Sequence, residues 1–128
     1  MTDMLFEIHR GLGYVAFVVV LVASVMAFNR AKNGQEFSDG MPKAAVILLD
    51  IQVLVGVVFY VLGEGWEAEP VVALVHPLVN VAAVGLAHAG LGRARREQMA
   101  LDAHRTVGRA LAVAMVLLLV GIGLVSTN

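Results

Sequence analysis

The chain has 128 residues, 59% of them hydrophobic, with a mean hydropathy of +0.84. Soluble domains are about 45–50% apolar, so the composition excludes an ordinary water-soluble globule and indicates a membrane protein. Cysteine is absent, which removes disulfides, thiolate metal sites and cofactors attached through sulfur. The net charge of −1 gives no reason to expect nucleic acid as a partner.

Four apolar runs follow one another, at 4–28, 43–62, 71–91 and 104–126. Each has about the 20 residues that a helix needs to cross about 30 Å of hydrocarbon. They are continuous rather than alternating, so the strands of a transmembrane barrel are a poor fit. The expected fold is all-α: one integral-membrane, antiparallel four-helix bundle spanning residues 1–128 as a single domain. The first run is longer than a signal-peptide core and acids precede it, so it reads as a retained helix.

Residues 29–42, "NRAKNGQEFSDGMP", form a polar loop whose Pro42 suits the first turn of the second helix. The second helix carries Asp50 and Gln52 toward its cytoplasmic half. A carboxylate there is expected to pair with an inner-side arginine or histidine, proton uptake being the alternative. Residues 63–70, "GEGWEAEP", make an acidic outer loop with Trp66 as an interfacial anchor.

The inner loop, 92–103, is basic. Together the two inner loops and their helix ends hold eight of the nine Lys and Arg residues: Arg30, Lys32, Lys43, Arg93, Arg95, Arg96, Arg105 and Arg109. The other side has Arg10 alone. By the positive-inside rule both termini lie outside the cell membrane and both basic loops face the cytoplasm. The "GRARRE" run then serves topology rather than nucleic-acid binding.

Histidine inside a span is expensive and points to function. Glu7-x-His9-Arg10-x-x-Gly13 and Asp102-x-His104-Arg105-x-x-Gly108 repeat one phrase on the first and last helices. Topology sorts the four histidines by depth into an outer pair, His9 with His76, and an inner pair, His88 with His104. On the third helix His76, Asn80, Ala83, Ala87 and Gly90 share one stripe, as His9, Gly13, Val20 and Ser24 do on the first. On the fourth, His104, Gly108, Leu111, Met115 and Ile122 do so. A glycine one turn beyond a histidine leaves room for something flat and bulky. Paired imidazoles within a bundle suit axial ligation of haem iron, and the adjacent arginines suit its propionates.

These residues imply one or two b haems, with His9, His76, His88 and His104 as iron ligands. Arg10, Gly13, Asn80, Arg105 and Gly108 line the cofactor. The twelve residues from His76 to His88 span about 18 Å along a helix, enough for an electron path across most of the bilayer.

The segment "EIHRGLG", with His76 two helices later, resembles one four-helix half of the haem A synthase family. The two-level histidine pairing is similar to that of small transmembrane b-type cytochromes. The resemblance implies a haem-binding bundle whose first and third helices supply the axial ligands His9 and His76, with Arg10 at a propionate. The synthase pattern has a glutamate three residues before the histidine, where this chain has Phe6, and the acid here is Glu7.

The leading expectation is therefore an electron carrier rather than an enzyme, embedded in the lipid bilayer and serving a larger redox complex or a quinone. One alternative is a half-size haem-modifying enzyme acting as a homodimer. Another is a structural or pigment-binding accessory subunit of a membrane complex. The topology is testable in this cysteine-free chain: a cysteine at position 94 should be shielded from an impermeant thiol reagent in intact cells. Ready labelling would reverse the orientation.

Overall fold

Each apolar run becomes one helix, and each helix outruns its apolar run. The structure, a computed structural model, describes residues 2–126. They form α1 (Thr2–Lys32), α2 (Gly40–Leu62), α3 (His76–Arg96) and α4 (Ala100–Ser126), with no strand among the described residues. With the turn Val71–Val75 that leads into α3, all four are long and apolar enough to cross a membrane. Hydropathy marks only the apolar stretch, so the expected ends fall short. The basic tails Arg30 and Lys32, and Arg93, Arg95 and Arg96, stay helical, and cations there oppose the negative end of the helix dipole.

Local chemistry sets the ends. Gly34, at φ +67°, closes α1: Gly34 N–H donates to Ala31 O at 3.3 Å and Gln35 N–H to Arg30 O at 3.1 Å. This is the Schellman pattern, which calls for a left-handed residue at the first position. Pro42 lies in the first turn of α2, as expected. A short turn, Gly65–Glu67, follows α2, and the π-helical turn Val71–Val75 opens the way into α3.

Pro77 explains part of that entry. In a regular helix the N–H of residue 77 would donate to Ala73 O, and proline has none. The Tyr60 hydroxyl donates to Ala73 O instead, at 3.1 Å. Trp66 is exposed beside Tyr60, consistent with an anchor at an interface.

α1 packs against both α2 and α4, α4 also packs against α3, and α2 and α3 touch less closely than these neighbours do. The core between them is built mainly of alanine. It includes Ala16, Ala23 and Ala27 on α1, Ala83, Ala87 and Ala94 on α3, and Ala103 and Ala114 on α4. Many large apolar side chains point outward, Leu54, Val57, Leu78, Val81 and Val116 among them, while Leu49, Leu91, Leu111 and Leu118 join the core. Mostly small residues inside and many large ones outside suit helices that approach closely within an apolar solvent.

Ala94 belongs to the core. A cysteine there would escape the reagent from either side, so exposed Gln98, in the break between α3 and α4, is the informative labelling position. The α3–α4 seam also generates a test. A Cβ on Gly90 would overlap the Ala110 Cβ, whereas one on Gly85 meets nothing within 4 Å. Gly→Ala in a helix ordinarily stabilises by about 0.8–1 kcal/mol. Gly85→Ala should therefore raise thermal stability in detergent, and Gly90→Ala should lower it by about 1–3 kcal/mol through overpacking. Equal stabilisation by both would mean that α3 and α4 are not in close contact at Gly90.

Candidate functional site

Polar groups from all four helices gather near the start of α1. The His9 ring, half-buried, meets the His76 ring edge-on, with centroids 6.2 Å apart and planes at 85°. Phe59 stacks at a tilt beside His9 at 6.2 Å, and Phe6 lies 5.9 Å from Phe59. Two histidines of different helices, expected to lie at one depth, do meet.

His76 is held from α4. Its Nδ1 lies 3.0 Å from Gly121 O. A carbonyl only accepts, so Nδ1 carries the proton and Nε2 keeps the free lone pair. One turn on, Asn80 donates through Nδ2 to His76 O at 2.7 Å. Its amide occupies the space that Gly121 leaves: a Cβ there would fall 2.9 Å from Asn80 Nδ2.

His9 is held from α2. Gln52, only 9% exposed, donates through Nε2 to His9 O at 2.8 Å. Gly56, one turn along α2, faces the imidazole edge, and a Cβ there would fall 2.9 Å from His9 Cε1. Neither glycine stood out in the sequence, because only the packing reveals which side chain each one admits. Gln52 was visible as a polar residue in an apolar run, but not as a partner of His9.

The inner pair is arranged otherwise. His88 Nε2 lies 2.7 Å from Asp50 Oδ1, joining α3 to α2 with 52% and 45% of the two side chains exposed. Asp50 thus has the histidine partner expected for it, although at a surface rather than in the core. His104 is 2% exposed, and its Nε2 faces Gln35 O at 3.1 Å and Glu36 O at 3.2 Å. Those carbonyls accept, so His104 pins the α1–α2 loop to α4, with Phe37 edge-on to its ring at 5.3 Å. The structure therefore turns His88 and His104 to different partners and does not bring them together as a ligand pair. Depth alone cannot choose between neighbours around a bundle.

The flat groups expected beside the two glycines are the chain's own. A Cβ on Gly13 would lie 3.0 Å from Gln52 Nε2, and one on Gly108 would lie 3.1 Å from the Phe28 ring. Ser24 Oγ donates to Gly108 O at 2.9 Å across the same α1–α4 seam. Arg10 is exposed, 3.9 Å from Glu7 Oε2 and near the outer cluster, and Arg105 is exposed beside His104.

No group of three or more His, Asp or Glu able to hold a metal ion gathers among the described residues. What the site does hold is two imidazoles that could act as a pair of single ligands. His9 and His76 could form such a pair: the Gly121 O contact occupies His76 Nδ1 and leaves Nε2 for a ligand, and His9 Nδ1 is buried without a hydrogen-bond partner, a place for the ring proton if Nε2 is the ligand.

If Phe28 fills the space at Gly108, Gly108→Leu should lower thermal stability by about 1–3 kcal/mol. Adding Phe28→Ala should recover part of that loss. A Gly108→Leu chain that melts like the parent would show that the seam is open at this point.

Comparison of the chain with protein-family models, curated proteins and solved structures finds no match.

Proposed function

We propose that this chain is a b-type haem protein of the cell membrane, an antiparallel four-helix bundle that holds one haem through His9 and His76 and carries electrons. The observation that carries the reading is the meeting of these two imidazoles, from α1 and α3, with His76 Nδ1 committed to Gly121 O. Imidazole binds iron through a neutral nitrogen, and a carbonyl on the other nitrogen fixes that tautomer and strengthens the donor.

Three cross-contacts support the antiparallel order. Phe6, early in α1, meets Phe59, late in α2. His76, at the start of α3, meets Gly121, late in α4. His104, at the start of α4, meets the loop that follows α1. The eight-to-one distribution of Lys and Arg then sets both termini outside.

When bound, the haem supplies reversible one-electron exchange. The chain's own part is to present two neutral imidazoles, to cover the His9 side with Phe6 and Phe59, and to offer Arg10 at the outer rim for a carboxylate. His88 and His104 are reassigned as ties between elements, so a second haem and a path across the bilayer form no part of the proposal.

The test is a reduced-minus-oxidised optical spectrum of the purified protein, with haem counted per chain. One low-spin haem is expected. His9→Ala or His76→Ala should abolish it, while His88→Ala and His104→Ala should leave its stoichiometry unchanged. A haem-free parent protein, or loss of haem on His88→Ala alone, would overturn the assignment.

A further inference from the structure

Among the described residues, two buried side-chain atoms lack hydrogen-bond partners: His9 Nδ1 and Gln52 Oε1. They belong to residues already joined, since Gln52 Nε2 donates to His9 O at 2.8 Å. That bond fixes the orientation of the amide. Its nitrogen faces a carbonyl that only accepts, so Oε1 is an acceptor in need of a donor. A neutral imidazole whose Nε2 binds a metal carries its proton on Nδ1, and Nδ1 is then a donor in need of an acceptor. Each orphan is what the other lacks. Left unmade, each is a desolvated polar group without the bond it gave up to water.

We infer that Gln52 is the positioning residue of His9, its amide bridging the main-chain carbonyl and the Nδ1–H of the same histidine, directly or through one buried water. This rests on the haem reading for its purpose, but the hydrogen bond belongs to the chain itself. The small residues around it fit the role. Gly13 leaves room for the Gln52 amide, and Gly56 lets the imidazole edge lie against α2. Gln52 is 9% exposed, so water at the surface does not substitute for the histidine as its partner. His76 has the matching arrangement from the opposite side, with Gly121 O on its Nδ1. The two histidines would thus present Nε2 alike, one steered by a side chain of α2 and the other by the main chain of α4.

One rival acceptor is present. The Gln52 main-chain carbonyl also stands beside the His9 ring, although Nδ1 makes no hydrogen bond to it. The experiment must therefore separate the side chain from the main chain.

Nitrogen-15 NMR of the imidazoles, in haem-free protein held neutral in detergent, reads the tautomer directly. The parent chain should show His9 as Nδ1–H. Gln52→Met, close in shape and without the acceptor, should shift it toward Nε2–H, and Gln52→Glu, which keeps an acceptor, should retain Nδ1–H. An Nε2–H tautomer in the parent would overturn the inference without recourse to any variant. So would an unchanged Nδ1–H tautomer in Gln52→Met, which would assign the role to the main-chain carbonyl.

Haem titration gives an independent readout. Gln52→Met should weaken haem binding about 10–100-fold, the usual cost of losing a partner behind a ligand. Gln52→Glu should bind haem with a lowered midpoint potential, because a carboxylate makes the imidazole a stronger donor. If the parent binds no haem, the functional proposal fails while the tautomer measurement still decides the role of Gln52.

Discussion

Close approach of helix backbones is the constraint on which the rest of this structure depends. Lipid tails are as apolar as leucine, so burying leucine between helices gains little in a membrane, and contact must come from packing and polar ties. The chain has alanine and glycine at its seams and turns many of its large aliphatic side chains outward. α4 shows this most clearly. Its Gly108 admits Phe28 of α1, its Gly121 admits Asn80 of α3, and its Ala110 lies against Gly90 of α3. Where the backbones come this close, one side chain decides the separation, and polar groups can reach main-chain carbonyls on the neighbouring helix. Ser24 to Gly108 O and His76 to Gly121 O are both such bonds.

Much of the fold was legible because hydropathy and length are one-dimensional properties. Four runs, two basic loops and the break before Pro42 follow from residue order alone, and so does the sorting of the histidines toward the two ends of their helices. The rotation of each helix and the order of helices around the bundle do not. Those depend on which small residues face which neighbours, and that is settled by packing. His88 illustrates the gap: its depth matched His104, yet its helix turns it toward Asp50 on α2. The same gap hid Gly56 and Gly121, which look like any other glycine in an apolar run until a histidine or an asparagine is found against them. The π-helical turn before His76 was also unreadable, since Pro77 announces an irregularity without saying which neighbour repairs it.

The repeated His-Arg-x-x-Gly phrase shows how context divides one motif into two uses. At both places the glycine admits a planar group: the Gln52 amide beside Gly13, the Phe28 ring beside Gly108. The amide is polar and belongs to the helix that also holds His9, so the first phrase becomes part of a hydrogen-bonded cluster. The phenyl ring is apolar and seals the seam, so the second becomes packing. The arginine is exposed in each case.

Which nitrogen a histidine spends on the protein decides what remains for a ligand. His76 spends Nδ1, the nitrogen nearer its own backbone, and the far nitrogen at the tip of the ring is left with its lone pair. His104 spends Nε2 on Gln35 O and Glu36 O, so only Nδ1 remains, close to its own helix in a side chain that is 2% exposed. A planar cofactor needs the tip of the ring, because the base of the ring is crowded by the main chain. The carbonyls that close the α1–α2 loop therefore occupy the tip of the His104 ring, even though His104 carries the same phrase. The carbonyl supplied by α4 occupies the other nitrogen of His76 and leaves the tip of that ring open. The loop in turn presents those carbonyls because the Schellman turn at Gly34 reverses the chain just before them. In this way a backbone feature at the end of one helix selects the use of a side chain at the start of another.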